Sequence, residues 1–98
     1  MKIAVLGGGF AGLSSAYHLL KKGHEVAIIE KEDIPGGLAV GFKEKTWDWP
    51  LEKHYHHFFT SDNEIISLAK ELGLSEKLIF PSSQTSLFCH NTIYPFNS

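Results

Sequence analysis

Between Lys2 and Leu6 the chain runs Ile3-Ala4-Val5-Leu6 without polar alternation, which predicts a short parallel strand covered on both faces. Gly7-Gly8-Gly9 stops it. From about Phe10 to Lys22 the period changes. Leu13, Ala16 and Leu20 recur at helical spacing and Leu19 widens the stripe, so a helix packed along that face is expected. Lys21 and Lys22 complement the carboxyl end of its dipole, and Gly23 is the stop signal. Val26 to Ile29 is a second buried strand, closed by Glu30. Two parallel strands joined by a helix cross over right-handed, so the topology of this part is nearly determined.

After Glu30 regularity fades through Ile34-Pro35-Gly36-Gly37 and into an aromatic, histidine-rich stretch from Trp47 to Phe59. A connection of this length is usually functional or disordered, and its aromatic content argues against disorder. Ser61-Asp62-Asn63-Glu64 fits a capping box. Ile65, Leu68, Ala69 and Leu72 then keep helical spacing until Gly73. Leu78-Ile79-Phe80 before Pro81 reads as a short strand, and Ser86 to His90 with Thr92 to Phe96 as a hairpin turning at His90-Asn91. Nothing after Phe96 is long enough to cover that hairpin, so a truncated chain is expected.

With 98 residues, 43% of them apolar, the chain has material for one small globular unit and not for a second full domain. Nine lysines, no arginine and eleven carboxylates give a net charge of -2, which provides no basic field for a phosphate backbone, so nucleic acid is not an expected partner. No apolar run approaches the ~20 residues of a transmembrane segment. One cysteine, Cys89, makes no internal disulfide, and the cytoplasmic compartment is the default expectation. Cys89 reads as an inert, packed thiol.

Chemistry enters with Gly7-Gly8-Gly9-Phe10-Ala11-Gly12, a G-x-G-x-x-G pattern. Alone it is weak, but here it joins a buried strand to an amphipathic helix. Gly7 serves the tight turn, Gly9 the approach of backbone to a pyrophosphate, and Gly12 close helix packing. The amides from Phe10 to Gly12 open the helix and, with its dipole, form an anion site without cationic side chains. Eighteen residues beyond Gly12 stands Glu30, close to the ~20 expected of the acid that holds an adenosine ribose and repels a 2'-phosphate. The fold class expected is α/β, a Rossmann-like FAD/NAD(P)-binding fold with a partial parallel sheet. The hexapeptide does not separate FAD from NAD. Gly36-Gly37 suits a ligand approach or a plain loop.

The run from Ile3 through Glu30 into Gly36-Gly37-Leu38 resembles the amino-terminal region of the FAD-dependent amine oxidase, protoporphyrinogen oxidase and phytoene desaturase superfamily, in which a Gly-Gly-Arg motif follows the acid at this spacing. The resemblance implies that the acid holds the FAD ribose and that the glycine pair lies along the cofactor. Leu38 takes the arginine position, and the chain has no other arginine, so pyrophosphate charge rests on backbone amides, with Lys31 as a helper. Trp47 to Glu52 and Tyr55 to Asp62 are similar to the stretch that approaches the flavin in protoporphyrinogen-oxidase-like and UDP-galactopyranose-mutase-like proteins. The likeness covers nearly the whole chain. It implies an amino-terminal fragment, with residues 1–80 in the FAD-binding region and 81–98 beginning a substrate domain. The parent is expected to be a flavin-dependent oxidoreductase of a small-molecule substrate, and the fragment itself inactive. The rivals are a mutase-like flavoprotein, a nicotinamide dehydrogenase and a non-catalytic nucleotide-binding module.

His54, His56 and His57 form the one histidine cluster. On a strand His54 and His56 share a face, but no third ligand has suitable spacing, so no metal is assigned. By likeness to the family, His56 or His57 is placed beside the isoalloxazine. Trp47, Trp49, Phe58 and Phe59 read as packing residues.

Overall fold

The computed structural model describes residues 1–82 and 84–96. The chain divides into two units, Met1–His57 and Phe58–Ser98.

In the first unit β1 (Lys2–Leu6), α1 (Phe10–Lys21) and β2 (Glu25–Ile29) follow the predicted order. The two strands pair in parallel from Lys2 opposite Glu25 to Leu6 opposite Ile29. α1 packs on both. Coverage of both strand faces is not observed. Ile3, Val5 and Val26 are half-buried, whereas Ala4, Leu6, Ala27 and Ile29 are exposed. One helix covers one face, and the alternation along β1 follows from that, while in β2 Val26 alone is half-buried.

The packed stripe of α1 also differs from the predicted one. Ala16 is 3% exposed and Gly12 and Leu19 are half-buried, while Leu13 and Leu20 are exposed. The stripe runs Gly12, Ala16, Leu19 because a Cβ at Gly12 would run into the Gly7 carbonyl oxygen. That close approach sets the rotation of the helix, and the two smallest positions face the strands. Ala16→Leu is therefore expected to overpack this interface and destabilise the protein by about 1–3 kcal/mol, read as a lower denaturant midpoint. An unshifted midpoint would mean that the helix sits looser than described.

Beyond β2 the long connection has short elements that the sequence did not announce: a 3-10 turn at Gly37–Ala39 and an antiparallel pair, β3 (Gly41–Phe42) with β4 (Leu51–Glu52). Trp47 packs on Phe42, with ring centroids 5.5 Å apart. Lys43 Nζ donates to the Asp48 carbonyl at 3.0 Å.

The second unit contains α2 (Asn63–Glu71), a 3-10 turn at Ser75–Lys77, and an antiparallel hairpin of β5 (Thr85–Cys89) and β6 (Thr92–Phe96). The capping box does not form. Asp62 is the N-cap, and its Oδ2 accepts from the Phe59 amide at 2.7 Å, behind the helix. The predicted strand at Leu78 to Phe80 is absent. That segment leaves the 3-10 turn as irregular chain, and the Phe80 ring meets the Phe58 ring edge-on at 5.8 Å. The hairpin turns at His90 and Asn91 with φ of 48° and 60°, the positive-φ pair of a two-residue turn matched to strand twist. Leu87, Phe88, Ile93 and Phe96 on it are exposed. Asn97 and Ser98, the last residues of the 81–98 segment expected to begin a substrate domain, lie outside the described residues.

Candidate functional site

The site is built where β1 hands over to α1. Gly7 turns with φ of +97°, in the region that favours glycine, and its N–H donates to the Ile29 carbonyl at 2.8 Å. Gly9 is the N-cap of α1, with φ of -75° and ψ of -179° and no side-chain cap. The Leu13 amide donates to the Gly9 carbonyl at 2.9 Å as the first helical bond. The amides of Phe10, Ala11 and Gly12 therefore stand at the positive end of the helix dipole.

The three glycines of the pattern differ in what the fold asks of them. Gly7 needs its positive φ, and Gly12 needs the space that the Gly7 carbonyl fills. Gly9 needs neither: its backbone angles suit any residue, and a Cβ there would meet only the Gly37 Cα, at an ordinary 3.9 Å.

Glu30 turns toward this loop. Its Oε2 accepts from the Gly8 amide at 2.5 Å and its Oε1 from the Glu32 amide at 2.9 Å. These bonds, the Glu32 amide foremost and the Gly8 amide next, hold the carboxyl below its ordinary value. A depressed carboxylate stabilises the folded loop above the ordinary glutamate range, and that contribution disappears as pH falls through the lowered value. The stability difference between the protein and its Glu30→Gln variant should thus be constant near neutrality and shrink only on acidification below that range. Denaturant titrations across pH check this, and a difference that shrinks instead between pH 6 and 8 would contradict it.

The segment after β2 returns to the same loop. The Gly36 amide donates to the Gly8 carbonyl at 2.8 Å, and Gly36 bridges Gly9 in parallel. Leu38 lies in the following turn and is 68% exposed. Beside these residues opens a cavity of about 620 Å³, lined among others by Glu30, Lys31, Ile34, Leu38 and Lys53. Lys31 Nζ lies 3.5 Å from the Glu32 carboxylate, both side chains being exposed. Lys53 was not singled out from sequence. It reaches the cavity because the β3–β4 connection brings it back, its amide donating to the Val40 carbonyl at 3.4 Å, and no motif marks that return.

The histidines occupy irregular chain, so strand periodicity does not apply to them. The Nδ1 of His56 lies 2.7 Å from the His54 carbonyl and 3.8 Å from the Glu52 carboxylate. The ring of His57 meets that of Tyr55 edge-on at 5.4 Å. Neither lines the cavity beside Glu30. Among the described residues no three potential metal ligands cluster, and no helix is long and apolar enough to cross a membrane.

Comparison with known proteins matches the amino-acid sequence to relatives. The profile of the family described as flavin containing amine oxidoreductase matches residues 10–97. The chain is 35% identical over 82 residues to the 15-cis-phytoene desaturase of Synechococcus elongatus, a match covering 84% of this chain and 17% of that protein. It is 36% identical over 78 residues to a 15-cis-phytoene desaturase of Narcissus pseudonarcissus, with 80% and 14% covered. A zeta-carotene desaturase of Capsicum annuum is 37% identical over 79 residues, with 81% and 13% covered. The chain thus spans less than a fifth of the length of these relatives. A cradle of backbone amides with a carboxylate at its side suits a dinucleotide such as a flavin cofactor, and on the sequence match the chain belongs to the flavin containing amine oxidoreductase family.

Proposed function

We propose that these residues are the FAD-binding beginning of a Rossmann-like domain in a flavin-dependent oxidoreductase. Gly9 carries the reading: its backbone angles and surroundings would admit a side chain, and the close approach of a ligand accounts for a glycine there beyond its modest preference at an N-cap. The amides of Phe10 to Gly12 would take the pyrophosphate, assisted by the helix dipole. Each Glu30 oxygen holds one backbone amide, and a carboxylate oxygen accepts more than one hydrogen bond, so a ribose hydroxyl fits there while a 2'-phosphate is repelled. Leu38 adds no charge. Lys31 and Lys53 are the cations at the cavity beside Glu30.

When bound, FAD supplies the hydride-accepting chemistry. The chain's own residues bind and orient its adenosine end. The reaction belongs to the full-length parent, in which the hairpin from residue 81 onward opens a substrate domain and His56 or His57 faces the flavin. The relatives are desaturases by name, which favours oxidation of a carbon–carbon bond in a small-molecule substrate over amine or porphyrinogen oxidation, and over a mutase-like rearrangement. Cys89 as the sole cysteine suits a reducing compartment, the cytoplasm in the simplest case.

A nicotinamide module would share Gly7 to Glu30. The family match and the packing of Gly36-Gly37 onto the glycine loop favour the flavin. Titrating the full-length protein with FAD, NAD and NADP decides. The expected result is a yellow complex with FAD and no binding of NADP. Binding of NAD with no uptake of FAD would sink the reading.

A further inference from the structure

The segment from Glu30 to Gly37 grips one residue of the glycine loop from both sides, at its amide and at its carbonyl. The Gly8 amide donates to Glu30 Oε2, and the Gly8 carbonyl accepts from the Gly36 amide. Gly8 is buried. A Cβ on it would meet Glu30 Oε2 at 3.0 Å and Pro35 Cβ at 3.3 Å. One residue on, Gly37 lies so close that a Cβ on it would come 3.1 Å from the Gly9 Cα. The middle residue of G-x-G is thus held by the strand-end acid and by the glycine pair, while the amides from Phe10 to Gly12 stay out of the grip.

The geometry points to a second role for Glu30 and Gly36-Gly37 as positioning residues that brace the phosphate cradle before any ligand arrives. This rests on the dinucleotide reading, in which Glu30 also serves the ribose. The two roles of Glu30 predict opposite signs for a ligand that has no ribose. If the carboxylate only met sugar hydroxyls, removing it would leave inorganic pyrophosphate bound as well or better, since a negative charge beside an anion site has been taken away. If it braces the loop, removing it loosens the cradle and weakens the same anion.

The test uses the full-length protein stripped of flavin. Glu30→Ala should lower the affinity for inorganic pyrophosphate by about tenfold, the usual scale for losing a charge-assisted hydrogen bond. Glu30→Gln, which keeps an oxygen able to accept from Gly8, should restore most of it. Gly37→Ala, which adds no charge, should weaken pyrophosphate as well, because its Cβ presses on Gly9 and its φ of +58° is strained for alanine. Hydrogen exchange supplies the readout independent of ligand: the Gly8 amide should be protected in the parent protein and in Glu30→Gln, and exposed in Glu30→Ala. Unchanged or tighter pyrophosphate binding by Glu30→Ala, with Gly8 still protected, would overturn the brace. A parent protein that takes up neither FAD nor pyrophosphate would instead overturn the dinucleotide reading, and the brace would then stand or fall on Gly8 exchange alone.

Discussion

Gly12→Ala is expected to cost the full-length protein its flavin. The added methyl would overlap the Gly7 carbonyl oxygen and press on Val5 Cγ1 at 3.4 Å. Neither neighbour gives way cheaply, because Gly7 is held by its bond to the Ile29 carbonyl and Val5 lies within the parallel pair. α1 must lift off the strands or the loop must change its turn, and either moves the amides that face the pyrophosphate. The expected loss of FAD affinity is at least about 100-fold, near 3 kcal/mol, together with roughly 1–3 kcal/mol of folding stability. Flavin content after purification and thermal unfolding measure the two. Normal flavin content in this variant would show that the helix does not rest on the loop as described.

Gly9→Val should separate binding from folding. Its backbone lies in extended space and its Cβ position is nearly open, so the protein is expected to fold, losing about 1 kcal/mol for a poorer N-cap. FAD affinity should nevertheless fall by about 100-fold, because the isopropyl group stands where the pyrophosphate must approach the backbone. The contrast with Gly12→Ala is the informative part. One variant loses stability and ligand together, and the other loses ligand with its fold retained. If Gly9→Val kept FAD while unfolding early, the glycine would be structural and the proposed cradle misplaced.

Much of this was legible along the chain because it depends on local physics. The β1–α1–β2 unit follows from apolar runs whose period changes at a cluster of glycines, and the His90-Asn91 turn from the positive-φ preference of a two-residue hairpin. The misjudged features depend on contacts that no periodic pattern marks. The capping box at Ser61 to Glu64 has the right residues, yet Asp62 spends its carboxylate on the Phe59 amide. Leu78 to Phe80 has strand composition, but no strand among the described residues pairs with it and it stays irregular. Lys53 reaches the cavity beside Glu30 through a chain reversal that carries no periodic signal.

The sequence by itself determined the order of elements, the glycine pattern, the acid at its set distance and the lack of arginine, because each is a matter of residue type and spacing. Only the tertiary structure decided which face of α1 is packed, and that the glycine pair beyond β2 lies against the glycine loop. It also showed that the carboxylate of Glu30 already holds two backbone amides. Those outcomes turn on how closely backbones and side chains of separate elements approach, to within a methyl group or a hydrogen bond. Interatomic distance across the fold decides that, and no local pattern encodes it.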